Sequence, residues 1–218
     1  MCINLNISTG VLNNTTLVNY KILSNMIFKA IEFAARAHAG QYRKGTDLPY
    51  ICHPMNVCQI LVGYKCSKEM VIAGILHDVL EDTSMTKADL EQNFGKEITD
   101  LVVGASEPEQ MQGNWFNAFN WGKRKTNTLD KLGKSATGDI LMVSIADKLD
   151  NIRSIKRDYR ELGEKVWLRF NAGRAQQEWY YTSLARVFRA RAVKEGPGFR
   201  ALSEIFENEV QECFNVSA

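Results

Sequence analysis

The chain has 218 residues, 45% of them hydrophobic and 24% charged, with a formal net charge of +2. That is the balance of one soluble globular domain, with or without a small appendage. So small a net charge gives no argument for a nucleic-acid partner, and no apolar run reaches the roughly 18 residues that cross a bilayer.

Residues 1–23 are rich in Asn and Thr and lack the basic-then-apolar layout of a secretory signal. They are expected to form a poorly ordered arm ahead of a single domain over residues 24–218. Cys2, Cys52, Cys58, Cys66 and Cys213 are odd in number and lack CxxC spacing, which fits reduced thiols in the cytoplasm. Cys52, beside His53, reads as a small packed side chain rather than a thiolate ligand. Ser24 is the expected N-cap of a first helix running to Ala39. Ile27, Ile31, Ala34 and Ala35 follow helical spacing there, and His38 continues the stripe as a core histidine. Gly40 stops the helix. Residues 41–50, QYRKGTDLPY, read as a loop that presents Arg43 and Lys44. His53-Pro54 opens the second helix, because proline in a first turn lacks only an N–H that would be unpaired anyway. Val57, Ile60 and Leu61 face inward, and Gly63 ends this helix.

The third helix starts near Ser67 and enters the stretch VIAGILHDVLEDT, residues 71–83, which begins apolar and ends with His77, Asp78, Glu81 and Asp82. On a continuous helix His77 stacks with Glu81, and Asp78 with Asp82. Burying adjacent His and Asp at the end of an apolar helix is costly unless something neutralises them, and a divalent cation does so. Helices follow from Thr86 to Gly95, with Leu90 and Phe94 inward, and from about Glu97 to Ser106. Residues 107–120 read as irregular and carry Trp115 and Phe116, with Lys123, Arg124 and Lys125 opening the next helix; long segments of this kind are often functional. From Gly138 to Arg157 the pattern is strongly helical and sets Asp147 on its apolar face, with Asn151 and Ser154 following. Segments at about 164–170, 174–193 (with Trp179, Tyr180 and Tyr181) and 199–214 complete an all-α, compact multi-helix array.

His53, His77, Asp78 and Asp147 together offer two nitrogens and two carboxylates from separate helices, a set suited to Mn, Fe or Zn. The segments QYRKGTDLPYICHP, AGILHDVLEDT and IADKLDNIRSI resemble three successive motifs of the HD superfamily of metal-dependent phosphohydrolases, in the form found in RelA/SpoT-type alarmone enzymes. The likeness covers about residues 28–155. It implies an HD-domain array with a C-terminal helical extension, similar to the stand-alone small alarmone hydrolases. It further implies Mn²⁺ held by His53, His77, Asp78 and Asp147, with Glu81 and Asp82 as the acidic pair that activates water. Arg43 and Lys44 match residues near the nucleotide and its phosphates, and Lys148, Asn151 and Ser154 match the substrate-facing side of the last motif. Ser154 stands where the family usually has Thr, and residues 107–126 depart from the family pattern.

The implied reaction is metal-assisted hydrolysis of guanosine 3′,5′-bispyrophosphate in the cytoplasm, releasing pyrophosphate from the 3′ position and leaving GDP or GTP. Its parts are physically coherent: a metal makes water more acidic, a nearby carboxylate takes the proton, and basic side chains offset phosphate charge. Trp115, Trp179 or Tyr180 offers a face for a base, although core packing is the commoner role of any one aromatic. Two other readings stand beside this one. One is an HD-fold phosphohydrolase for another nucleotide, such as a 2′-phosphorylated dinucleotide. The other is a non-catalytic metal-binding regulatory module, against which the presence of both Glu81 and Asp82 argues.

Overall fold

The computed structural model describes residues 14–107 and 121–214, with side chains from Asn25 onward, and every regular element among them is helical. In chain order these are α1 (Asn14–Ala37), α2 (Cys52–Gly63), α3 (Lys68–Leu76), α4 (Val79–Asp82), α5 (Lys87–Phe94) and α6 (Lys96–Ala105). Then come α7 (Trp121–Lys134), α8 (Gly138–Leu162), a 3-10 helix (Gly163–Arg169), α9 (Arg174–Ala192) and α10 (Pro197–Phe214). No helix among the described residues is long and apolar enough to cross a membrane.

Local sequence explains most of the boundaries. Ser67 Oγ accepts the Met70 N–H at the start of α3, and Thr86 with Asp89 forms a reciprocal capping box at the start of α5. Gly95, at φ +82°, turns the chain between α5 and α6. Pro197 occupies the first turn of α10, where it needs no hydrogen-bond acceptor.

The helix α8 runs between two apolar clusters and serves both. Val143 and Ala146 belong to a core built with α1, α2, α3, α5 and α6, while Leu141, Ile145, Leu149 and Ile152 belong to one built with α7, α9 and α10. Each of these buried Leu and Ile side chains contributes roughly 1.5–3 kcal/mol by leaving water. Asp147 lies on this doubly buried helix and is itself buried. The helices α2 and α3 approach closely at Gly74, where an added Cβ would meet Leu61 and Val57. That contact brings the first turn of α2 beside the end of α3.

Several boundaries differ from the sequence expectation. Helix α1 begins at Asn14, so Ser24 is inside a helix and is not its cap. No Gly or Pro interrupts residues 14–24, and a serine is tolerated within a helix. The helix expected to continue through Thr83 divides at His77-Asp78. The His77 Nδ1–H donates to the Gly74 carbonyl at 2.8 Å, an acceptor that the next backbone N–H would use in a continuing helix. Helix α8 extends to Leu162, where Gly163 at φ +56° ends it, and the segment after it is 3-10 rather than α. Residues 1–13, and 108–120 with Trp115 and Phe116, lie outside the described residues.

Candidate metal centre and adjoining cavity

Four of the side chains singled out in the sequence converge. His53 comes from the first turn of α2, His77 and Asp78 from the break between α3 and α4, and Asp147 from the middle of α8. His53 Nε2 lies 3.2 Å from His77 Nε2, 3.2 Å from Asp147 Oδ1 and 3.5 Å from Asp78 Oδ2. His77 Nε2 lies 3.0 Å from Asp78 Oδ2 and 3.6 Å from Asp147 Oδ1. Donors around one ion, each bonded at about 2.0–2.2 Å, stand roughly 3–3.5 Å apart.

The other nitrogen of each ring decides what these atoms can do. His77 Nδ1 meets the Gly74 carbonyl, which can only accept, so that nitrogen carries a hydrogen. His53 Nδ1 lies 2.6 Å from Asp150 Oδ2, and a carboxylate there again selects the Nδ1–H form. In the neutral rings both Nε2 atoms therefore present lone pairs to each other and to two carboxylate oxygens. His53, His77 and Asp147 offer ligand atoms that all lie within 4.8 Å of one another, with Asp78 beside both histidines, and acceptors crowded in this way call for a cation. The donor set fits a divalent metal of intermediate softness.

In the metal-free chain a proton takes that place. Burial disfavours a charged His77, but the Asp78 and Asp147 carboxylates outweigh it and hold the imidazole well above its usual range. Burial likewise opposes charge on Asp78 and Asp147. His77 holds Asp78 well below the usual carboxylate range, and Lys148 with the two histidines does the same for Asp147.

Glu81 and Asp82 lie on α4, just beyond this cluster. Burial, with the charges of Asp78 and Glu107, pushes the Glu81 carboxyl up to about 8. Glu81 Oε1 accepts the Glu107 N–H at 2.6 Å. Burial and Asp78 push Asp82 up to about 6. The Tyr50 hydroxyl lies 2.6 Å from Asp78 Oδ2 and 3.0 Å from Asp82 Oδ2, and so bridges the cluster to the acidic pair.

Alongside is a cavity of about 320 Å³ whose lining includes Arg43, Lys44, Lys148, Asn151 and Ser154, the five residues expected to face substrate. Arg43 Nη2 donates to Asn151 Oδ1 at 2.9 Å, and Asn151 Nδ2 donates to Asp147 Oδ1 at 2.6 Å. Lys148 Nζ donates to Asp147 Oδ2 at 2.6 Å. Of the basic run at the start of α7, Lys123 is exposed, whereas Lys125 lines the cavity, 2.6 Å from Glu107 Oε1. Trp121, Phe170 and Tyr180 supply aromatic walls. The buried Tyr180 hydroxyl has no partner among the described residues, and Trp179 is 43% exposed, packed against Trp121 at 6.2 Å between ring centroids. His38 is buried, its Nδ1–H donates to Gln41 Oε1 at 2.8 Å, and Tyr50 lies against its ring, as suits a core histidine. Cys52, Cys58, Cys66 and Cys213 are free thiols.

Sequence reasoning missed Asp150, Asn56, Tyr50, Glu107 and Phe170. Asp150 was the most legible of them: it lies within IADKLDN, three residues after Asp147 and so on a neighbouring strip of α8. Asn56 Nδ2 donates to Asp150 Oδ1 at 2.9 Å and fixes the carboxylate that fixes His53.

A family model described as "HD domain" matches residues 30–177. The guanosine-3′,5′-bis(diphosphate) 3′-pyrophosphohydrolase of Borreliella burgdorferi is 35% identical over 131 residues, 59% of this chain and 19% of that protein. The bifunctional (p)ppGpp synthase/hydrolase SpoT of Escherichia coli is 35% identical over 125 residues, 56% of this chain and 17% of that one. The chain thus spans less than a fifth of the length of these curated relatives. Among solved structures, the lmo0812 protein of Listeria monocytogenes EGD-e superposes with a TM-score of 0.64 at 30% identity, covering 75% of this chain and 99% of that one. A metazoan SpoT ortholog, whose description says that it hydrolyses ppGpp, shares the fold with a TM-score of 0.63 at 23% identity, covering 87% and 94%.

Proposed function

Because the chain belongs to the HD domain family, in its RelA/SpoT-type branch, we propose that it hydrolyses guanosine 3′,5′-bispyrophosphate to GDP and pyrophosphate, or the pentaphosphate form to GTP and pyrophosphate. Membership in the family implies a divalent metal; we take it to be Mn²⁺, held by His53, His77, Asp78 and Asp147. The observation that carries this reading is the convergence of two histidine lone pairs and two carboxylates beside a cavity lined with cationic groups. The setting we propose is the cytoplasm, where free nucleotides and reduced cysteines coexist.

Bound there, a divalent metal polarises the phosphoryl oxygen and acidifies water. The chain's own residues do the rest. Arg43, Lys44 and Lys148 offset the phosphate charge that grows as the bond from phosphorus to O3′ breaks. Asp82, ionised at neutral pH, takes the proton of the attacking water, and Glu81, which holds its proton to about 8, has one to give to O3′ as it leaves. Asn151 keeps Arg43 in register with Asp147. Ser154 and the aromatic walls flank the nucleoside.

The test is product analysis with the purified chain and Mn²⁺. Pyrophosphate and the intact 5′-diphosphate are the expected products. Release of single orthophosphates, or good turnover of a 2′-phosphorylated dinucleotide beside none of the alarmone, establishes a different HD phosphohydrolase. Metal binding with no turnover of any nucleotide leaves the regulatory module.

A further inference from the structure

We propose that Arg169, Phe170 and Asn171 form a bracket that holds the Arg43-Lys44-Gly45 turn in the geometry that receives phosphate, which makes them positioning residues for the reaction. The turn is closed by its own backbone. Arg43 N–H donates to Leu48 O at 2.8 Å, Thr46 N–H donates to Arg43 O at 2.9 Å, and Tyr42 pairs with Pro49. These bonds shape the turn but do not fix how it sits on the helices, and Lys44 and Gly45 are exposed. The last residue of the 3-10 helix, Arg169, and the two residues after it supply that footing.

The Arg169 side chain lies directly across Gly45. A Cβ at position 45 would stand 2.6 Å from Arg169 Cδ and 2.7 Å from its Nε, and Gly45 has φ +71°. Only glycine satisfies both the dihedral and the approach. Beyond Gly45, Arg169 Nη1 donates to Asp158 Oδ2 of α8 at 2.8 Å, so the guanidinium spans from the turn to the helix that carries Asp147, Asn151 and Ser154. Phe170 lies beneath the Lys44 ammonium, 5.9 Å from Nζ to the ring centroid, and Asn171 Oδ1 accepts from Lys44 Nζ at 3.3 Å. The bracket is anchored in turn: Trp167 is buried and stacked on Phe214 of α10 at 5.6 Å, and its carbonyl accepts the Phe170 N–H at 3.2 Å.

Two adjacent cations on one turn repel each other, and the exposed Lys44 ammonium is strongly hydrated. A turn already seated, with Lys44 aimed along Phe170 and Arg43 bonded to Asn151, meets a phosphate without having to be ordered first. What the bracket does for turnover rests on the hydrolase reading above; its hold on the turn does not.

The experiment uses the full chain loaded with Mn²⁺ and the variants Arg169→Ala and Arg169→Lys. Amide exchange of residues 41–50 is expected to quicken about tenfold in Arg169→Ala while the buried amides of α2 and α8 stay unchanged. The Kd for inorganic pyrophosphate and the KM for the alarmone should each rise about 5- to 20-fold, with kcat within about threefold and metal content unaltered. Arg169→Lys, whose stem still crosses Gly45 and whose ammonium still reaches Asp158, should recover most of the exchange protection. Asn171→Ala, at an exposed position, should weaken pyrophosphate about threefold even if Arg169→Ala fails to fold. The proposal is overturned if loop exchange and pyrophosphate affinity are unchanged, if the parent chain binds no pyrophosphate, or if α2 and α8 loosen equally. A loosened loop in a chain that does not turn over the alarmone retains the bracket and removes the hydrolase reading.

Discussion

Replacing Asp150 by Asn tests the proposed metal centre without touching any of its proposed donor atoms. The two carboxylate oxygens of Asp150 accept from His53 Nδ1 at 2.6 Å and from Asn56 Nδ2 at 2.9 Å. An amide cannot satisfy both. If its oxygen faces His53, its NH₂ confronts that of Asn56. If its oxygen faces Asn56, its NH₂ faces His53 Nδ1 and drives the ring proton to Nε2, the nitrogen that should ligate. Losing one charge-assisted hydrogen bond to a ligating histidine costs about 10- to 100-fold in metal affinity, or about 1.4–2.7 kcal/mol. The tautomer conflict places Asp150→Asn at the upper end of that range. The assay is Mn²⁺ titration by calorimetry on stripped protein, with circular dichroism to confirm an unchanged helix content. An Asp150→Asn protein that binds Mn²⁺ within about twofold of the parent would show that His53 is not oriented in this way, or is not a ligand.

Three further outcomes follow from the same geometry. With Asp82 near 6 and Glu81 near 8 in the metal-free chain, kcat/KM should rise and then fall with pH, both limbs lowered by the bound cation; Glu81→Gln should keep the metal, lose about 10²- to 10⁴-fold in turnover and abolish the alkaline limb, and an unaltered profile refutes the acid role. Because His77 is held protonated well above its usual range, the metal must displace that proton, so affinity should climb by up to about tenfold per pH unit until the raised pKa is passed; a pH-independent affinity contradicts a competing proton on His77. Gly74→Ala should force α3 away from α2, destabilising the fold by about 1–3 kcal/mol in urea titration and weakening metal binding as His53 and His77 separate; full stability with full affinity would mean that the close approach at Leu61 has slack to give.

The all-α fold was legible because helical periodicity was long and capped. Ser67, Thr86 and the Gly95 stop act in the structure as their chemistry suggests. The four converging side chains were legible for another reason: histidine and aspartate placed in apolar helix faces are conspicuous, since they demand compensation. What stayed hidden was whatever depends on non-local packing. Nothing near Asp150 in the chain tells that His53, from α2, will lie against it. The break at His77-Asp78 was equally invisible, because an unbroken helix satisfies the same apolar pattern; only the bond from His77 Nδ1 to Gly74 O distinguishes the two. Glu107 was read as the start of an irregular segment, yet its backbone binds Glu81 and its carboxylate gathers Lys125 and Arg124.

Helix α8 links these observations. One turn of it presents Asp147 to the histidines, Lys148 and Asn151 to the cavity, and Asp150 to the far nitrogen of His53. Asn151 donates to the same Asp147 oxygen that faces both histidines, and accepts from Arg43. Arg43, the group proposed to receive phosphate, is thereby joined through Asn151 to Asp147, a proposed metal ligand, by two hydrogen bonds. A helix buried on two sides cannot shift one of these residues without the others, because both cores resist displacement. The rigidity of α8 thus serves two ends at once: it keeps the acceptors close enough to need a cation, and it keeps the cavity's positive charges aimed where phosphate would meet that cation.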